Sequence, residues 1–142
     1  MHIKLTNGNP AKYTLGQLRR DNPQTSFPKV IPVEVLASYD VYPCTRPERP
    51  AYDYLTQQCL DAGFEQDAEG NWVQGYSVER LPKDQAAENI RAERNRLLAE
   101  TDWMALSDNT MTQAWADYRQ ALRDLTAQEG FPYSVEWPTK PE

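Results

Sequence analysis

A chain of 142 residues makes one ordinary domain or two very small ones. An apolar share of 39% and a mean hydropathy of -0.80 leave a thin core and much polar surface. A net charge of -6, with both signs mixed along the chain, argues against nucleic acid and anionic membranes as partners.

The aromatic share is 11%, with four Trp and eight Tyr, residues that serve equally as interface anchors and as filling for small cores. The start, MHIKLTNGNP, lacks the charged and apolar regions of a signal peptide. No apolar run approaches bilayer-spanning length, so maturation in a cytoplasm is expected. Cys44 and Cys59 form no CxxC pair and His2 is the lone histidine, which makes a zinc site implausible. Buried thiols are the expected state of both cysteines.

Residues 2–5 alternate like a short strand, and TNGNP reads as a turn, with Pro10 unable to continue a ladder. Thr14 is placed to cap a helix over TLGQLRRDN that ends before Pro23. A proline-punctuated connector follows. Pro32 then suits the first turn of a helix carrying Val33, Leu36 and Ala37. Val41–Cys44 reads as a strand and TRPERP, residues 45–50, as an extended linker.

Residues 52–80 suggest a β-hairpin turning at Asp67–Asn71, with Trp72, Gln74, Tyr76 and Val78 alternating on the second strand. A helix over 53–61 is the competing reading, since Leu55, Cys59 and Leu60 also share a helical face. The hairpin's Trp72–Tyr76–Val78 face predicts an edge open to strand pairing with another chain.

Pro82 opens a long helix whose thin apolar face runs through Ala87, Ile90, Leu97 and Leu98 to Met104 or Leu106. Ser107-Asp108-Asn109 breaks it. Thr110 and Gln113 have capping-box spacing, and Met111, Trp115, Tyr118, Leu122 and Leu125 then repeat at steps of four and three. Gly130 and Pro132 mark the stop. Two amphipathic helices joined by a short connection predict an antiparallel hairpin, with the second apolar face against Ile90, Leu97 and Leu98. The fold class expected is α+β, with an N-terminal module of strands and short helices over 1–81. A C-terminal helical hairpin with an aromatic-proline tail would occupy 82–142.

No pattern for a nucleophile elbow, zinc protease, phosphate loop or dinucleotide site occurs. Asp102 and Asp108 are the best candidate acid/base carboxylates, but a helix end explains Asp108 without catalysis. A cysteine nucleophile would need His2 as its base. No catalytic residue, metal or cofactor is expected. Arg119 and Arg123, one helical turn apart, suit either bidentate anchoring of a partner or a clamp inside the chain onto Glu100 or Asp102. Phe131, Tyr133 and Trp137 carry more apolar area than a free tail would keep, with Trp137 the residue expected to reach a partner.

From Arg94 to Pro141 an ordered set of motifs accumulates: Leu97-Leu98, Thr101-Asp102-Trp103, Asp108, Trp115, Tyr118-Arg119, Leu122-Arg123-Asp124, Gly130-Phe131-Pro132 and Trp137-Pro138. At these spacings the segment resembles the C-terminal domain of phage tail assembly chaperones. Upstream, Val41–Cys44, the proline-rich linker, Tyr52-Asp53 and the Gly70–Gln74 stretch are similar to the N-terminal parts of phage tail-fibre accessory proteins. The resemblance implies a non-enzymatic accessory protein that binds a tail-fibre or tail-tip protein in the host cytoplasm during assembly. The alternative it leaves is a minor structural component retained in the virion tail as an adaptor. Trp72, Tyr76, Val78, Arg119, Arg123, Tyr133 and Trp137 are the candidate partner-binding residues, and self-association of the chain is left open.

Overall fold

The chain reverses direction almost at once. In the computed structural model, which describes residues 1–142, Asn7 and Gly8 take φ values of 51° and 80°. Two successive positive φ angles match the twist of paired strands, so β1 (His2–Thr6) folds directly onto β2 (Asn9–Tyr13), with Thr6 opposite Asn9. Pro10 therefore lies inside a ladder, contrary to the sequence expectation. It is tolerated because β2 is an edge strand, where one side has no partner to receive an N–H.

The Thr14 cap forms as expected: Gln17 N donates to Thr14 Oγ1 at 3.1 Å and Thr14 N donates to Gln17 Oε1 at 2.8 Å, starting α1 (Leu15–Asp21). A five-residue α2 (Val33–Ala37) leads into β3 (Val41–Thr45). β4 (Gln57–Gln66) and β5 (Trp72–Arg80) follow, joined through Asp67, whose carboxylate accepts from the backbone N–H groups of Glu69 and Asn71. Those donors hold the Asp67 carboxyl below its ordinary value, the Asn71 N–H contributing most.

The five strands make a mixed sheet in the order β2-β1-β3-β5-β4, antiparallel at β1–β3 and parallel at β3–β5. Tyr13, Leu18, Ile31, Leu36 and Val41 form a core supported by Leu15, Phe27 and Tyr39. By contact density the chain divides into Met1–Ala51 with Cys59–Val78, and Tyr52–Gln58 with Glu79–Glu142.

The hairpin around Gly70 keeps an outer edge, since the strands at the two ends of the sheet are β2 and β4. On the other side of the hairpin, β3 pairs with β5 only at Trp72 and Val73, upstream of Tyr76 and Val78. Each edge has a feature that discourages strand addition: Pro10 in β2, and in β4 Gly63, whose φ of 84° interrupts the regular pleat.

The second unit corrects the expected helical hairpin. A sheet and helices are both present, so an α+β composition stands in that loose sense, but no antiparallel helical hairpin forms. α3 (Lys83–Glu100) ends well before Met104, and a 3-10 turn occupies Asp102–Ala105. α4 begins only at Gln113, with Thr112 at its cap and no side-chain bond there, so the Thr110–Gln113 box is not made. It ends at Asp124, and a second 3-10 turn spans Leu125–Ala127.

Lengths explain why the hairpin fails. The 18 residues of α3 extend about 27 Å and the 12 of α4 only about 18 Å. The residues that α3 buries, Ala86, Ala87 and Ile90, all lie in its first half, so no apolar seam runs its full length. The tail supplies the remaining contacts. Tyr133 Oη donates to the Leu81 carbonyl at 2.8 Å, the Arg91 guanidinium sits 5.4 Å from the Phe131 ring centre, and Lys140 Nζ lies 3.6 Å from Glu100. The segment from Tyr133 to Lys140 thus reaches from just before α3 to its last residue.

Candidate partner-binding surfaces

Tail and α4 side chains were the natural candidates for outside contacts, yet several are spent within the chain. Arg119 is 6% exposed. Its guanidinium donates to the Leu98 carbonyl at 2.9 Å, to Thr101 Oγ1 at 2.5 Å and to Asp102 Oδ1 at 2.9 Å. It is the internal clamp rather than an outward anchor. Tyr133 is held by its bond to Leu81 and by the Arg80 guanidinium 5.1 Å from its ring centre. The Tyr76 hydroxyl accepts from Arg46 Nε at 3.1 Å, and Arg49 lies 5.6 Å from its ring centre. The 45–50 linker therefore already occupies Tyr76.

The other candidates are more available. Arg123 and Val78 are exposed, while Trp72 and Trp137 are half-buried. Trp137 follows a stretch fixed by Gln128, whose side chain both donates to the Glu136 carbonyl and accepts from the Glu136 N–H.

Trp72 borders a cleft of about 630 Å³ in the first unit, with Val33, Tyr42, Pro43, His2 and the turn at Asp67–Asn71 as further walls. The strand register builds this opening, since β3 pairs β1 at His2–Pro43 and β5 at Cys44–Trp72. Cys44 and His2 both face it. Burial raises the Cys44 thiol pKa, and burial followed by the nearby N-terminal ammonium lowers that of His2. Both shifts oppose a thiolate–imidazolium pair, and Cys44 Sγ instead donates to the Thr45 carbonyl at 3.5 Å. No three His, Cys, Asp or Glu side chains gather as a metal site would require.

A second surface, not singled out from the sequence as a contact site, surrounds the connection between α3 and α4. Trp103 and Leu106 are each 58% exposed. Trp103, Met104, Met111 and Trp115 line a depression of about 180 Å³, and Met111 also borders a neighbouring one of about 370 Å³ toward Asp117 and Arg123. The sequence carries no signal for this surface, because the apolar spacing of the long helix continues to Met104 or Leu106. The clamp at Arg119 fixes the turn that carries Trp103, and Leu106 N closes it onto the Trp103 carbonyl at 3.4 Å.

Residues 87–142 match a protein family described as phage tail assembly chaperone protein. No curated protein and no solved structure matches the chain. The match covers α3 from Ala87 onward, the connection, α4 and the tail.

Proposed function

We propose that the chain is a tail assembly factor that acts by binding a tail-fibre or tail-tip protein, without catalysis. The single observation that carries this reading is the family match over residues 87–142, whose elements expose a preorganised apolar surface at Trp103 and Leu106 beside half-buried Met111. Two Met side chains beside aromatics make an adaptable contact surface. Trp72 in its cleft, together with Val78, Arg123 and Trp137, supplies further candidate contacts. The expected site of action is the host cytoplasm, and no helix is long and apolar enough to cross a membrane.

Deleting the gene should leave particles deficient in the fibre or tip protein, and complementation in trans should restore them. Quantitative mass spectrometry of purified particles separates the two modes of action. An assembly factor is absent from finished particles, whereas an adaptor is present at fixed stoichiometry. Normal particles from the deletion strain would overturn both.

A further inference from the structure

Between Leu97 and Tyr118 the sequence contains no lysine or arginine, while Glu100, Asp102, Asp108 and Asp117 all fall within it. This is the segment that carries the exposed apolar patch. Not all four carboxylates remain free. Glu100 pairs with Arg96 and Lys140, and Asp102 pairs with Arg119. Asp108 makes no ion pair, and the Asp117 carboxylate accepts only from the neutral Gln113 amide at 2.7 Å. The patch therefore presents exposed Trp103 and Leu106 and half-buried Met111 beside two carboxylates, Asp108 and Asp117, that no cation pairs. The second depression is also lined by Arg123 and by Arg119, which is paired to Asp102.

From this juxtaposition we infer that the Trp103–Leu106–Met111 surface docks an apolar segment of a partner protein that is flanked by lysine or arginine. The inference rests on the proposed binding function and specifies which surface performs it and what the partner must offer. Apolar burial supplies the affinity, with exposed aromatics as anchors. Asp108 and Asp117 steer a cationic flank toward them, an effect that salt screens because both are exposed. The charges disfavour a second copy of this chain, since a two-fold contact through the patch would set Asp108 and Asp117 against their own equivalents.

The test uses the full chain and two synthetic amphipathic peptides with one leucine-rich face, one peptide flanked by lysines and the other by glutamates. Amide chemical shifts should change on titration with the lysine peptide, centred on residues 101–117. Affinity should fall several-fold on raising salt from low to physiological strength, and the glutamate peptide should bind at least about tenfold more weakly. The double variant Trp103→Ser, Leu106→Ser should lose binding at least about tenfold while keeping its dispersed spectrum, because both side chains are exposed. Equal binding of the two peptides, shifts centred elsewhere, or a dimer abolished by the double variant would each overturn the inference. Retention of the tail protein by the double variant would also overturn it while leaving the proposed function intact. That function fails separately, if the unmodified chain retains no tail protein.

Discussion

Arg119 and Leu98 stand 21 residues apart in sequence, yet Arg119 Nη1 donates to the Leu98 carbonyl at 2.9 Å. The same nitrogen donates to the buried Thr101 hydroxyl. Thr101 also donates to the Leu98 carbonyl at 3.1 Å, so one cluster ends α3 and ties α4 to that end. The Asp102 carboxylate is 66% exposed, so its ion pair contributes little beside the buried hydrogen bonds.

Arg119→Ala removes the donor to the buried Thr101 hydroxyl, while the Leu98 carbonyl keeps the Thr101 N–H and hydroxyl, and should cost roughly 1–3 kcal/mol in urea unfolding. Asp102→Asn should cost much less. Equal losses for the two variants would show that the ion pair, not the buried hydrogen bonding, dominates.

Leu122 is fully buried, whereas Trp115 is half-buried and packs edge-on against Tyr118 with ring centres 5.8 Å apart. Leu122→Ala should therefore destabilise by about 2–5 kcal/mol. Trp115→Ala should cost less despite removing the larger side chain. A greater loss at Trp115 would place it in the core, as the four-three periodicity alone suggests.

Gly130 is required by close approach. A Cβ built there would lie 2.1 Å from the Ser134 carbonyl oxygen, and the Ser134 N–H donates to the Gly130 carbonyl at 2.8 Å. Gly130→Ala should open this turn, raise hydrogen exchange from Phe131 to Glu136 and lower the melting temperature. Unchanged exchange would show that the tail accommodates the methyl group.

His2 should titrate below its ordinary value of 6.5 in the folded chain, because burial penalises its charged form. The unfolded chain then binds more protons between the two values. Stability is fully present above pH 6.5, falls as pH drops through that window, and levels off below the folded value. The carboxyls of Asp67 and Glu93 are also shifted down, so their losses come in more acidic solution. NMR titration of His2 together with melting curves checks this, and a folded value at or above 6.5 would contradict it.

Local chemistry was the legible part of the fold. The Thr14 cap, the turn at Asp67–Asn71 and the strand at Val41 all follow from side chains acting on their own backbone. Sheet order was not legible, because nothing near Trp72 records that Cys44 will lie beside it. The helical hairpin failed because α3 buries only Ala86, Ala87 and Ile90, and apolar spacing that continues to Leu97 and Leu98 does not record where that burial stops. The clamp reading of Arg119 was visible as one of two choices for an arginine beside acidic residues. The exposure of Trp103 was hidden, since the sequence ran α3 through it and made Met104 or Leu106 part of a core face.

The most direct test of the account is co-expression of the tagged chain with each tail-fibre and tail-tip protein of its phage, followed by size-exclusion chromatography of the purified products. The account predicts that one such protein co-elutes with the chain at a fixed ratio and gains solubility from its presence. Separate elution of every tail protein, with unchanged solubility, would contradict it.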